Sequence, residues 1–202
     1  MKIVDAPILI AKGPFAASEE WQAIRKTVHL AIGAVVWPPG ADTFTIYPQS
    51  GKKRGEGNGV TPIKDAAIIY LMANGWKEEF PWPVGARKTP GNIDAAYVSS
   101  QGLVGFEWET GNVSSSHRSL NKMCLGLLRG DTVGGFLVVP SRKLYRFLTD
   151  RIGNVTELEP YFEFWAATPC QNGALEIVVI EHDAESLEVP RIGKGTDGRN
   201  LL

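Results

Sequence analysis

Apolar and polar residues follow a helical period in two stretches of the first half of the chain. Ser18 precedes Glu19, Glu20 and a run of apolar residues spaced by three or four positions, which predicts a helix with Ser18 as its N-cap. The pair Thr61-Pro62 predicts the start of a second helix, with Thr61 as its cap, and Asn74-Gly75 predicts its end. The first part of the chain is therefore expected to contribute helices.

The second half of the chain alternates between strand and helix patterns. Strands are predicted over residues 92–98 and 103–110, joined by a turn at 99–102, and buried strands over 133–139 and 173–180. Helices are predicted over 114–129 and 141–151, and a short one over 157–165. This order predicts an α/β domain in which helices flank a mixed central β-sheet. We expect one domain over residues 1–183 and a polar, Gly-rich tail over 184–202 that forms an arm or is disordered.

Composition limits the class of protein without indicating a function. The chain is 44% hydrophobic, enough for one domain with a sizeable core, and its formal net charge of −1 gives no support to nucleic-acid binding. A cleft can still be positive on a neutral protein, so the placement of the basic residues matters more than their total. Cys124 and Cys170 lack the CxxC spacing of zinc sites, and we expect both to be small buried hydrophobic residues.

The N-terminal segment does not have the features of a targeting sequence. It lacks the apolar region and the small-residue cleavage site of a signal peptide. No apolar stretch approaches the about 20 residues needed to cross a bilayer. These patterns predict a soluble, cytoplasmic protein that does not interact with a membrane.

Three acidic residues form the most informative pattern in the chain. Glu107 and Glu109 are two positions apart on a predicted strand, so both point to one face, and Asp94 on the preceding strand can reach that face. Carboxylates held this close repel one another, and a hard divalent cation such as Mg²⁺ is the usual relief. The alternative is that the two Glu side chains lie on a solvated strand face. The apolar residues around them, Leu103, Val104, Phe106 and Trp108, favour a strand that is covered on its other side.

The residues that follow this strand are rich in small donors and cations. A helix N-terminus with hydroxyl, amide and basic side chains suits contacts with phosphates and base edges. The alternative is an exposed helix capped by Ser114, with His117 as an ordinary surface residue. The candidates for DNA contact are Asn112, Ser114, Ser115, His117, Arg118 and Lys122.

The ordered pattern Asp94…Glu107-x-Glu109-x-Gly111 followed by a helix resembles the PD-(D/E)xK nucleases. Over nearly the whole chain the sequence resembles the BglII/BstYI-type type II restriction endonucleases. The resemblance implies a restriction-endonuclease-like core and a homodimer that cuts both strands of a short palindrome in double-stranded DNA. It also implies 5′ overhangs and a requirement for Mg²⁺, held by the side chains of Asp94 and Glu107 and by the backbone carbonyl of Trp108.

One position departs from the pattern of that group. Most PD-(D/E)xK enzymes carry Lys where this chain has Glu109, and the BglII/BstYI group carries Gln, whereas BamHI-type enzymes also carry Glu. The expected role of Glu109 is to orient or deprotonate the attacking water. Asp65, early in the second predicted helix, is an accessory candidate, although an acidic residue at a helix start already has a structural reason.

Three other functions remain open at this level. One is a nuclease of repair or of a mobile element, which a neighbouring methyltransferase gene would disfavour. Another is a catalytically silent DNA-binding protein that keeps the fold, although such a protein would gain by losing acidic residues near phosphates. The third is a hydrolase of small phosphoesters, disfavoured by the lack of a His-rich two-metal motif. The resemblance itself points to a GATC-centred palindrome of six base pairs.

Overall fold

The computed structural model describes residues 1–53, 55–84, 91–149 and 152–193. A mixed β-sheet forms the centre of this part of the chain, and a pair of short strands lies outside it. The strands are β1 (Lys2–Asp5), β2 (Ile8–Lys12), β3 (Thr45–Ile46), β4 (Lys77–Pro81), β5 (Asn92–Ser99), β6 (Gly102–Trp108), β7 (Gly134–Pro140), β8 (Gly173–Glu181) and β9 (Ala184–Glu185).

The strand order in the central sheet is β1-β8-β7-β6-β5-β4, and β2 also pairs with β8. Strands β6, β7 and β8 are parallel to one another. On one side of this group, β5 runs antiparallel to β6 and β4 runs antiparallel to β5. On the other side, β1 and β2 run antiparallel to β8. The prediction of a mixed sheet is confirmed, including the β5–β6 hairpin, whereas β1, β2 and β4 were not predicted.

Helices cover both faces of the sheet, as predicted. Ser18 caps the long helix before the sheet, because its Oγ accepts a hydrogen bond from the Trp21 N–H at 3.1 Å. The helix after β6 ends at Gly130, whose φ of 74° suits a glycine in the left-handed conformation. The helices are α1 (Gly13–Ala16), α2 (Glu19–Gly33), α3 (Thr61–Ala73), α4 (Val113–Arg129), α5 (Arg142–Tyr145), α6 (Val155–Leu158) and α7 (Phe162–Ala166).

The sheet separates two hydrophobic clusters, and the alternation of side chains along β7 supplies both. Phe136 and Val138 belong to the cluster shared with α2 and α3. Leu137 and Val139 belong to the cluster shared with α4 and α7. The indole of Trp21 stacks on Phe136 with ring centroids 4.8 Å apart, which fixes α2 against the sheet. All residues of β7 are buried, as expected for a strand covered on both faces.

The predicted helix over 141–151 is wrong in length, because α5 spans only Arg142–Tyr145. Ser141 caps the helix through the N–H of Leu144, but the chain then turns and Leu148 forms a β-bridge with Asn58. The buried Asn58 side chain donates hydrogen bonds to the carbonyl oxygens of Phe147 and Tyr47. This contact with a distant loop takes the backbone groups that a longer helix would have used.

Residues 184–193, which the sequence pattern assigns to a polar tail, pack against the rest of the protein. Strand β9 pairs in parallel with β3. The Ile192 side chain is buried, and its carbonyl oxygen accepts a hydrogen bond from the Gly59 N–H at 2.9 Å. The Pro190 carbonyl accepts another from the indole nitrogen of Trp37 at 2.8 Å. Residues 194–202 lie outside the described residues.

Two further expectations concern membrane-spanning helices and the two cysteines. None of the helices in the described ranges is long and apolar enough to cross a bilayer. Cys124 is buried and Cys170 is partly buried, and both thiols are free. Burial raises the pKa of both thiols, and the expectation of a fully buried cysteine is met by Cys124 but not by Cys170.

We predict that Phe136→Ala lowers the free energy of unfolding by about 3–5 kcal/mol, because it removes the ring on which Trp21 stacks and leaves a cavity between α2 and β7. Urea denaturation followed by tryptophan fluorescence measures this change. Phe164→Ala is the matched control, since its ring is 70% exposed, and it should change the stability by less than about 0.5 kcal/mol. Equal effects of the two substitutions would contradict the packing described here.

Candidate active site

The β5–β6 hairpin brings the three predicted acidic residues together at one end of the sheet. Ala95 pairs with Phe106, so continuation of this register places Asp94 beside Glu107. The Asp94 side chain crosses to β6, where its Oδ2 accepts a hydrogen bond from the Trp108 N–H at 2.8 Å. The Asp94 carboxylate is therefore fixed by the backbone between the two glutamates.

Glu107 is the most perturbed acid of this group. Only 8% of the residue is exposed. Burial, reinforced by the neighbouring carboxylates of Asp94 and Glu109, raises its pKa from the ordinary 4.5 to about 8, against the opposing charge of Lys122. A carboxyl group in this state is largely protonated at neutral pH unless a cation lies close to it.

Glu109 lies just beyond the end of β6, where its N–H still donates to the Val138 carbonyl at 2.9 Å. Ser119 of α4 donates a hydrogen bond from its hydroxyl to Glu109 Oε1 at 2.8 Å. Burial raises the pKa of Glu109, while the Ser119 hydrogen bond lowers it. Ser119 was not predicted, because its contact with Glu109 depends on how α4 packs on the sheet.

Two lysines from different helices approach the acidic group. Lys64 of α3 donates to Asp94 Oδ1 with its Nζ at 2.9 Å. Lys122 of α4 lies with its Nζ 3.7 Å from Glu107 Oε1. Lys122 was predicted as a DNA contact, whereas Lys64 was missed and its neighbour Asp65 was chosen. Asp65 is exposed on α3, and the residue of this turn that contacts the acidic group is Lys64.

The oxygen donors at this end of the sheet suit a hard divalent cation. Within the described residues, no group of three or more His, Cys, Asp or Glu side chains is arranged to hold a metal ion. The predicted ligand set needs only two carboxylates, from Asp94 and Glu107, together with the backbone carbonyl of Trp108. A cation that keeps several of its waters, as Mg²⁺ does, fits such a set, and it would relieve the unfavourable burial of the Glu107 charge.

The residue that caps the start of α4 is not the predicted one. Asn112 rather than Ser114 is the N-cap, since its Oδ1 accepts a hydrogen bond from the Ser115 N–H at 3.2 Å. Ser115 is half-buried, and Ser114 is exposed. The Asn112 side chain therefore holds the start of the helix, which leaves the Ser114 hydroxyl on the surface.

A surface groove of about 450 Å³ runs along α4 and collects most of the other predicted DNA contacts. His117 is partly covered by two aromatic side chains. The centroid of its ring lies 4.7 Å from that of Tyr161 and 5.2 Å from that of Trp165. Asn121 was not predicted, and its Oδ1 accepts a hydrogen bond from the Trp165 indole at 2.9 Å. The groove is lined by Val84, Ser114, His117, Arg118, Asn121, Lys122 and Leu125.

Comparison with known proteins identifies relatives over nearly the full length of the chain. The family model described as "Restriction endonuclease BamHI" matches residues 1–199. The type II restriction enzyme OkrAI of Oceanobacter kriegii is 42% identical over 201 residues, which cover all of both chains. The type II restriction enzyme BamHI of Bacillus amyloliquefaciens is 37% identical over 180 residues, which cover 85% of this chain and 79% of that enzyme.

We predict that Glu107 makes the metal-free protein progressively less stable as the pH rises from about 4.5 to about 8, and that Glu107→Gln removes this contribution. The pKa of Glu107 is raised in the folded state, so the unfolded chain releases this proton first and gains stability over that interval. The stability of the parent relative to the variant should fall by about 2–4 kcal/mol across the interval and then level off.

Thermal unfolding in EDTA at a series of pH values measures this difference. Glu163→Gln, at an exposed position on α7, is the control and should follow the parent. Parallel stability curves for the parent and Glu107→Gln would show that Glu107 is not buried as described.

Proposed function

Because this chain belongs to the BamHI family of type II restriction endonucleases, we propose that it uses Mg²⁺ to cut both strands of double-stranded DNA at a short palindrome. The observation that carries the proposal is the convergence of Asp94, Glu107 and Glu109 beside the polar start of α4. The finer resemblance to the BglII/BstYI group is not confirmed by the comparisons. A GATC-centred site and 5′ overhangs stay predictions of that resemblance.

Asp94 and Glu107 would hold the metal, together with the Trp108 carbonyl. When bound, Mg²⁺ polarises the scissile phosphate and acidifies a coordinated water. The Trp108 N–H fixes Asp94 in place, and the parallel pairing of β6 with β7 fixes Glu107. Because Glu107 is mostly buried, its carboxylate has little hydration left to lose when a cation replaces its proton.

In the proposed reaction Glu109 would act as the general base. The Ser119 hydroxyl donates a hydrogen bond to Glu109 Oε1. The other oxygen, Oε2, would accept a proton from the attacking water. Burial raises the pKa of Glu109 towards neutral pH, which makes it a stronger base than an ordinary carboxylate. The water oxygen bonds to phosphorus as the bond from phosphorus to the leaving oxygen breaks, and a proton from solvent reaches the leaving oxygen.

The groove along α4 is the proposed DNA contact. Arg118 and Ser114 are exposed, and Lys122 is half-buried between the groove and Glu107. Arg and Lys neutralise phosphates, and Ser, Asn and Arg can also read base edges. A palindromic site is matched by a two-fold symmetric protein, so the proposed active species is a homodimer.

Glu109→Ala is expected to slow cleavage by about 100- to 10,000-fold, because it removes the proposed general base, while DNA binding is largely retained. The assay incubates purified protein with Mg²⁺ and unmethylated phage DNA, and fluorescence anisotropy with Ca²⁺ reports binding. Sequencing of the fragment ends from the parent also gives the recognition site and the overhang. Unaltered cleavage by Glu109→Ala would refute the assigned role.

Arg118→Ala is expected to weaken DNA binding and to reduce the salt dependence of the binding constant by about one unit of slope, the effect of losing one phosphate contact. Arg129→Ala is the matched control, because Arg129 is an exposed arginine at the opposite end of the same helix. Anisotropy measured across a range of salt concentrations gives both slopes. If the two variants lose the same affinity, the groove along α4 is not the DNA contact.

A further inference from the structure

Lys64 contacts the proposed metal site from outside the β-hairpin. Its Nζ donates to Asp94 Oδ1 at 2.9 Å, while the Trp108 N–H occupies Oδ2 at 2.8 Å. Both oxygens of Asp94 are thus held, one by a backbone amide and one by an ammonium group. The Lys64 side chain is 32% exposed, so it is only partly enclosed by the protein.

The packing of α3 determines this position. Ile63 and Ala67 are buried against the core, and the partly buried Lys64 lies beside them on α3, where its ammonium group reaches Asp94 of β5. Lys64 is therefore a cation held in place by the fold.

The proposed reaction develops negative charge that such a group can stabilise in addition to the metal. The phosphate gains negative charge when water attacks it, and in this chain a carboxylate, Glu109, stands where most PD-(D/E)xK enzymes carry Lys. An ammonium group has three N–H donors. In the described part of the chain one of them is directed to Asp94, which leaves two for phosphate oxygens. The Nζ of Lys122 is 3.7 Å from Glu107 Oε1, which is beyond hydrogen-bond distance. Lys122, unlike Lys64, is therefore not fixed to the acidic group by a hydrogen bond.

We propose that Lys64 is a catalytic residue that contacts the scissile phosphate and stabilises the charge developed during cleavage. It supplies from α3 the cation that is missing at the position of Glu109. This role rests on the proposed function, since it requires DNA cleavage at Asp94 and Glu107. It differs from a purely structural role, in which Lys64 would only hold the Asp94 carboxylate in place.

The test compares Lys64→Met, Lys64→Arg and the parent. Lys26→Met is the matched control, because Lys26 is an exposed lysine on α2. Single-turnover cleavage at saturating Mg²⁺ is measured together with the affinity of the DNA-free protein for Mn²⁺ by electron paramagnetic resonance. Thermal unfolding in EDTA checks that each variant is folded.

Lys64→Met is expected to cleave at least about 100-fold more slowly, the usual cost of removing one group that stabilises transition-state charge. It should bind Mn²⁺ at least as tightly as the parent, because no ammonium group then competes for Asp94. Lys64→Arg should retain cleavage within about tenfold, and Lys26→Met should match the parent.

Two results would overturn the proposal. In one, Lys64→Met cleaves at the parental rate. In the other, it loses Mn²⁺ affinity and recovers cleavage at high Mg²⁺, which would make Lys64 a positioning residue for Asp94. In both cases the parent still cuts DNA, so the proposed function stands. A parent protein that leaves DNA intact with Mg²⁺ would instead overturn the proposed function, and the role of Lys64 with it.

Discussion

The β5–β6 hairpin forces three carboxyl groups together at one end of the sheet, where water reaches only a small part of Glu107. The loss of hydration, and after it the repulsion from Asp94 and Glu109, raises the pKa of Glu107 to about 8. The protein offsets this cost with Lys64 from one helix and Lys122 from another. A divalent cation would offset it further, and the function proposed here depends on that balance of charge.

The two helices that carry these lysines are held by different parts of the core. Helix α3 packs with α2 in the cluster that contains Trp21 and Phe136. Helix α4 packs in the second cluster, with Leu137 and Val139 on the opposite face of β7. Lys64 and Lys122 therefore approach the acidic group from helices on opposite faces of the sheet.

The central hairpin and the acidic residues were predictable, because a short turn fixes the register of two consecutive strands and a spacing of two fixes their shared face. Strands β1 and β2 were missed, since their partner β8 lies at the other end of the chain. Helix α5 is short because of a contact with Asn58, which no local pattern shows. Asp65 was chosen over Lys64 because successive residues of a helix point about 100° apart, and only tertiary packing decides which one faces the site.

Anomalous diffraction from crystals soaked in Mn²⁺ tests the proposed metal site, because it locates the cation without reference to activity. We expect an anomalous peak coordinated by the carboxylates of Asp94 and Glu107. A peak at another position, with these two carboxylates still uncoordinated, would contradict this expectation.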